Sequence, residues 1–260
     1  MNSLKNLICC VGIIVFLPIT TFAQDTLRSK WQFQINFGLQ FFEGFRLDNR
    51  PLNFEFKNLT NPAFEGGIGF LYHISNRVGI FSGVNFGFMS GNFRHTVQAY
   101  DSENKTLTDY YVDEQTNLPP PYVRLKIGPF YRQPFAKGLS LTVGFHALLN
   151  YFAKASRISE SFFYMNDVPQ PDAEISFSRL NNANNLPTFG LNPEIGIQRL
   201  MPKNTTLGIS MGMNWSPQHP VTMKYSYLAP GVLEAGTGRQ QDISYYLKAT
   251  VTWGMKKRKA

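Results

Sequence analysis

The chain has 260 residues, a formal net charge of +8 and a mean hydropathy of −0.20. This length suits a single domain, since all-β barrels commonly run to about 200–250 residues. Five of the positive charges lie near the chain ends, at Lys5 and residues 256–259. The charge of +3 that remains on the body excludes the strongly basic footprint of a nucleic-acid-binding protein.

Residues 1–23 are predicted to be a secretory signal peptide. Lys5 precedes an apolar run over residues 7–19, and Thr21 and Ala23 place small residues at the −3 and −1 positions of a cleavage site. The run contains Pro18 and is shorter than the roughly 20 apolar residues of a transmembrane helix. Both cysteines lie in this segment, so the exported chain is expected to fold without disulfide bonds.

The segment after the predicted signal peptide alternates between apolar and polar residues. Residues 31–41 read WQFQINFGLQF, with Trp, Phe, Ile or Leu at every odd position. A period of two indicates a β-strand with one apolar and one polar face. The pattern recurs seven more times, and the predicted strands are residues 31–42, 63–74, 78–93, 121–132, 139–152, 188–199, 206–215 and 243–255.

The connections between these strands alternate in length. Short turns are predicted at residues 75–77, 133–138 and 200–205, and long loops at residues 43–62, 94–120, 153–187 and 216–242. Outer-membrane barrels have an even strand number, short periplasmic turns and long extracellular loops. The sequence therefore predicts an all-β fold, an eight-stranded antiparallel up-and-down transmembrane β-barrel over residues 24–255. Both termini, including a basic tail at residues 256–260, are expected in the periplasm.

Aromatic residues on the apolar face indicate which face points outward. They cluster near the strand ends, as the two interfacial girdles of a membrane barrel do. A soluble lipocalin-like barrel, with its apolar face inside, is the alternative. The predicted girdle consists of Trp31, Tyr72, Tyr131 and Trp253 at one end, and Phe41, Tyr151, Phe189, Trp215 and Tyr245 at the other.

Three segments resemble a known family. They are LPPPYVRLKIGPFYR (Leu118–Arg132), LSLTVGFHALLNYF (Leu139–Phe152) and FGLNPEIGIQRL (Phe189–Leu200). Together they are similar to the outer-membrane β-barrel domain of Bacteroidota, the group that includes PorT-like proteins. The resemblance implies a bacterial outer-membrane location and the strand number. Through the PorT-like proteins it also implies an accessory role in protein secretion.

With the apolar face outward, the polar face lines a lumen that eight strands make just wide enough for side chains to fill. Glu65, Arg124, Lys126, Glu194 and Lys248 are predicted to pair there, because isolated buried charges are costly. We expect these ion pairs to form a structural plug. A gated ion path through the lumen is the alternative.

The sequence offers no clear catalytic or metal-binding constellation. His73 and His146 are assigned to the lumen, whereas His95 and His219 fall in predicted loops. Ser216 near His219 is the nearest approach to a nucleophile and base, but the sequence SPQHP is more typical of a turn. We expect neither enzymatic activity nor a cofactor.

The long loops carry the most potential for interaction. Alternation continues in residues 52–57, 174–177 and 221–227, which indicates strands that extend beyond the membrane. Such strands offer edges to a protein partner, and Tyr110, Tyr111, Phe162, Phe163 and Tyr164 suit an interface. Packing of these aromatics within the loops is the alternative. The predicted role is structural or interactive, with secretion accessory and narrow solute channel as alternatives and membrane lipid as the surrounding partner.

Overall fold

The computed structural model describes residues 29–255, except 50, 53, 60–61, 90–91, 102–105, 116–120, 153–157, 165–172, 182–186 and 230–231. The predicted signal peptide and the basic tail lie outside the described residues. Within the described part of the chain, no helix has the length and apolar character needed to cross a membrane.

Strands make up nearly all of the regular structure. One set consists of β1 (Trp31–Phe42), β4 (Pro62–His73), β5 (Val78–Phe88), β8 (Pro121–Ala136), β9 (Leu139–Phe152), β12 (Thr188–Leu200), β13 (Thr205–Trp215) and β16 (Ile243–Gly254). The other set lies in the long connections: β2 (Phe45–Leu47), β3 (Phe54–Leu59), β6 (Asn92–Asp101), β7 (Thr106–Gln115), β10 (Ile158–Tyr164), β11 (Ala173–Asn181), β14 (Val221–Ala229) and β15 (Val232–Gln240).

The first set forms a closed antiparallel barrel in the order β1-β16-β13-β12-β9-β8-β5-β4. Pairing of β1 with β4, from Trp31 opposite Tyr72 to Phe41 opposite Pro62, completes the ring. The predicted eight-stranded antiparallel barrel is therefore confirmed. Closure leaves the barrel without a free strand edge, so its backbone donors and acceptors can pair within the wall.

Two predicted strand bounds were wrong by more than one residue. Residues 133–136 were assigned to a turn, yet β8 continues to Ala136 through a bulge between Pro134 and Ala136, where a residue without an N–H donor is tolerated. The turn itself is only Lys137 and Gly138, and Gly138 has a left-handed φ of 75°. Strand β5 ends at Phe88 rather than at residue 93, because Met89 enters a separate buried core.

The barrel has a turn end and a loop end. The turn end carries the short connections, including a 3-10 helix (Pro202–Asn204) between β12 and β13. The loop end carries the four long connections, which contain eight strands; three of them, β3, β11 and β14, overlap the segments 52–57, 174–177 and 221–227 where alternation predicted strands. These strands form a five-stranded sheet, β10-β11-β14-β15-β2, and a three-stranded sheet, β3-β6-β7. We call the two sheets together the module.

The barrel exterior is apolar. Phe37 is 58% exposed and Ile68 45% exposed on this face, whereas Asn36 and Gln34 on the opposite face are buried. Exposed apolar side chains continue around the wall through Ile80, Ile127 and Leu247. This arrangement rules out the lipocalin-like alternative, because its apolar face would point into the barrel. The barrel is a transmembrane β-barrel.

The outward-facing aromatics bound this apolar surface. Trp31 packs on Tyr72 at the turn end, with ring centroids 4.7 Å apart, and Phe41 lies opposite Tyr245 at the loop end. The ten residue steps from Trp31 to Phe41 span about 33 Å along the strand, or about 25 Å along the membrane normal at a typical tilt near 40°. The remaining members of the predicted girdle, Tyr131, Tyr151, Phe189, Trp215 and Trp253, are exposed or half-buried near strand ends.

Candidate functional site

The lumen contains a buried charge cluster near the loop end. The Arg124 guanidinium donates to Glu65 Oε2 at 2.9 Å and to Asp242 Oδ1 at 3.2 Å. Its Nε donates to Asn150 Oδ1 at 2.7 Å, and its Cζ lies 4.6 Å from the centre of the Tyr122 ring. Arg124 is fully buried. This side chain therefore joins β4, β8 and β9 to the segment that leads from the module into β16.

Glu65 is the main acceptor of this cluster. It accepts from Tyr122 Oη at 2.7 Å and from Asn85 Nδ2 at 2.5 Å, in addition to Arg124. Lys126 Nζ lies 3.6 Å from Glu65 Oε1, the oxygen that accepts from Asn85. The amide of Gln40 contacts Tyr122, Arg124 and Ser244 around the same point. Glu65 is thus neutralised and hydrogen-bonded from several strands, as a buried carboxylate requires.

A second charge pair lies closer to the turn end. Lys248 Nζ donates to Glu194 Oε2 at 2.6 Å, and Tyr246 Oη donates to the same oxygen at 2.6 Å. The Tyr246 ring lies between two lysines, with Lys126 Nζ 4.7 Å and Lys248 Nζ 5.2 Å from its centre. The five residues predicted to pair therefore form two groups that Tyr246 and Lys126 connect.

Apolar side chains fill the lumen below this pair. Leu71, Phe81 and Phe130 form a buried cluster, with the His73 ring against Phe130 and the His146 ring against Phe81. Glycines make room for these rings: a Cβ at Gly83 would lie 2.6 Å from Phe81 Cζ, and one at Gly79 would lie 2.5 Å from Phe130 Cζ. A cavity of about 40 Å³ remains between the cluster and Glu194, which is room for only a few water molecules.

The described histidines have structural partners. His73 Nε2 lies 3.0 Å from Gln32 Oε1, and His146 Nδ1 lies 3.0 Å from Asn192 Oδ1. His219 is exposed, whereas Ser216 is buried and its hydroxyl donates to Gln218 at 3.3 Å. Among the described residues, no three His, Cys, Asp or Glu side chains come together as metal ligands would.

The module has its own hydrophobic core. Phe54 of β3 packs edge-on against Tyr225 of β14, at 5.3 Å between ring centroids, and Phe93 of β6 packs against Phe45 of β2 at 6.0 Å. The two sheets therefore face each other. Burial raises the pKa of Tyr225, and the nearby carboxylates of Glu234 and Asp48 raise it further.

This core continues into the mouth of the barrel. Phe42, Tyr122 and Phe152 belong to the same buried cluster as Phe45, Phe93 and Tyr225. The Tyr122 ring contacts Phe42 and Phe152, and its hydroxyl reaches Glu65. An apolar layer therefore covers the polar lumen at the loop end.

The module also has strand edges. In the described part of the chain, β10 pairs only with β11, and β7 pairs only with β6. The side chains of Tyr110, Tyr111, Phe162, Phe163 and Tyr164, predicted as interface aromatics, lie outside the described residues. The backbone edges of these two strands, like those of β2 and β3 at the other ends of the two sheets, are positions at which another strand could add.

Several participants in the lumen network were missed from the sequence, among them Asp242, Tyr246, Tyr122 and Gln40. Asp242 was assigned to a long loop, but it is fully buried and is the third carboxylate of the network. Tyr246 has the parity of a lumen residue, but no charge pattern drew attention to it. With Asp242 included, three acids face three bases, so the cluster is electrically balanced.

No protein-family model and no curated protein matches the sequence. Neisserial surface protein A (NspA) is 12% identical, with 87% of this chain and 98% of that chain covered and a TM-score of 0.43. The outer membrane protein OprG from Pseudomonas aeruginosa is 12% identical, with 87% and 98% covered and a TM-score of 0.41. A major outer membrane protein from Thermus thermophilus is 13% identical, with 86% and 98% covered and a TM-score of 0.40. Likeness at this level assigns this chain no role.

Proposed function

We propose that the chain is a non-enzymatic barrel of the bacterial outer membrane that holds the module outside the cell as a protein-binding platform. The observation that carries this proposal is the module itself: two packed sheets with an aromatic core, seated on the barrel mouth. Because the long connections of outer-membrane barrels are extracellular, the loop end faces outward and both termini lie in the periplasm.

The filled lumen supports a platform rather than a pore. Arg124, Glu65 and Asp242 cross the lumen near its loop end, and Phe81 and Phe130 fill it near its turn end. Conduction would require several buried ion pairs to separate, and breaking one such pair typically costs about 3–5 kcal/mol.

The outer edges of β10 and β7, beside which the described part of the chain places no further strand, support strand addition as the binding mode. Alternate N–H groups of an edge strand point away from its sheet, where a partner strand can accept from them. A proline at such a position removes the donor, whereas a proline at the adjacent position disrupts pairing within the sheet.

Affinity purification from native membranes tests this function, with prolines placed in turn at Ser159, Glu160 and Ser161 of β10. We expect the wild-type barrel to retain a bound protein partner. Proline at the positions whose N–H groups point away from the sheet should abolish partner binding, while heat-modifiable migration in SDS gels shows that the barrel is still folded. Recovery of the barrel alone from native membranes would contradict the proposal, as would equal retention by every folded variant.

The resemblance of Leu118–Arg132 and Leu139–Phe152 to the Bacteroidota barrel group that includes PorT-like proteins favours a second role, as an accessory of protein secretion. In that case the module would contact secreted cargo or the secretion machinery. Deletion of the gene followed by quantification of secreted proteins separates the two roles. Loss of secretion supports the accessory role, and an unchanged secretome supports a platform for another partner.

A further inference from the structure

The lipid-facing wall carries a groove near the turn end. Its volume is about 800 Å³, and it runs across the outward faces of β9, β12, β13 and β16. Its apolar lining includes Leu141, Ile197, Leu207, Ile209 and Val251. The groove exists because Ala249 is small: it lies between Phe37 of β1 and Ile209 of β13, where larger outward side chains occupy most of the wall.

One positively charged side chain, that of Arg199, lines this groove. Arg199 has the outward parity of Ile195 and Ile197, lies opposite Leu139 and Leu207, and is exposed. No ion pair involving Arg199 occurs between side chains that the structure describes. A second wall depression, of about 480 Å³ near Phe64, Phe86 and Val123, has no charged residue in its lining.

The charged turn-end side chains that the structure describes are basic. In segments 74–77, 133–138 and 199–205 they are those of Arg77, Lys137 and Arg199. An anionic group near Arg199 would therefore meet attraction from these side chains. An anion on Arg199 with an apolar tail along Ala249 and Ile209 has the chemistry of a membrane phospholipid.

We propose that this groove binds one anionic phospholipid, with its phosphate on Arg199 and an acyl chain against Ala249. The binding site fixes a lipid to the wall formed by β9, β12, β13 and β16. In the proposed orientation this lipid belongs to the periplasmic leaflet, but binding itself depends only on the groove and its cation. Its failure would therefore leave the proposed role of the module untouched.

Native mass spectrometry of the detergent-solubilised protein, titrated with dioleoyl phosphatidylglycerol or dioleoyl phosphatidylcholine, tests the site. We expect one tightly held lipid and about a fivefold preference for phosphatidylglycerol, the contribution of one surface cation near an anionic lipid. Arg199→Gln should remove this preference and Arg199→Lys should keep it. Arg77→Gln, the same charge change in the β4–β5 turn, should also keep it.

A second pair of matched variants tests the apolar part of the binding site. Ala249→Leu fills the groove and should weaken both lipids, whereas Ala147→Leu, on the outward face of β9 and outside the groove, should weaken neither. Absence of any lipid preference would overturn the proposal, as would equal effects of Arg77→Gln and Arg199→Gln or unchanged binding by Ala249→Leu. A protein dimer that Ala249→Leu abolishes would make a second copy of the chain the occupant instead.

Discussion

Glu65 shows how strongly one side chain can hold the lumen together. It accepts hydrogen bonds from Tyr122, Asn85 and Arg124 and lies next to Lys126. Glu65→Gln should lower the free energy of unfolding by about 3 kcal/mol or more, because two buried cations lose their shared anion. Urea titration of the detergent-folded barrel, followed by tryptophan fluorescence, measures the change.

Glu43→Gln is the control for that substitution. Glu43 pairs with the exposed Arg46 at 2.9 Å, and exposed pairs contribute about 0–1 kcal/mol. Equal urea midpoints for the Glu65 variant and the wild type would show that the lumen network does not stabilise the barrel.

Glycines in the lumen also determine whether the barrel folds, because each leaves space for a neighbouring side chain. A Cβ at Gly83 would lie 2.6 Å from Phe81 Cζ and 2.9 Å from the Ile68 carbonyl oxygen, whereas a Cβ at the outward Gly66 meets nothing closer than 3.8 Å. Gly83→Ala should therefore reduce the yield of folded barrel, and Gly66→Ala should not. The heat-modifiable band in SDS gels measures this yield, and equal yields would mean that ring packing in the lumen tolerates extra volume.

Among the elements, the module depends on its aromatic core. Phe93 is almost fully buried and contacts Phe45 and Phe56, so Phe93→Ala should destabilise the module by about 3–5 kcal/mol. Hydrogen exchange should accelerate in β2, β3 and β14 and stay unchanged in β1 and β16. Leu233→Ala, at a position 75% exposed, should change neither set. Faster exchange throughout the barrel would contradict a separately packed module.

Barrel strands could be predicted from the sequence more fully than the module. Strict alternation in β1, β9 and β13 follows from one face meeting lipid and the other the lumen, so the pattern is local. Strand β7 reads TLTDYYVDEQ, without such alternation, so no two-face pattern marks it in the sequence. The same reason explains the site: Glu65 and Arg124 could be placed by parity, whereas Asp242 reaches the lumen only through the path of β14 and β15.

The assembled protein is closed along its axis. The module core covers the loop end, the charge clusters occupy the middle, and Leu71, Phe81 and Phe130 fill the lumen towards the turn end. Planar bilayers containing the purified barrel should therefore show no conductance above the lipid baseline, even in concentrated salt solutions. Reproducible single-channel steps would contradict the platform role and favour the narrow solute channel.

Membrane insertion depends on the outward orientation of the apolar face. All three tryptophans, Trp31, Trp215 and Trp253, face outward near strand ends. The decisive measurement is fluorescence quenching in bilayers of phospholipids that carry bromine at different depths of the acyl chain. We expect strong quenching, greatest with bromine near the headgroup. Fluorescence that no brominated lipid quenches would contradict the outward orientation.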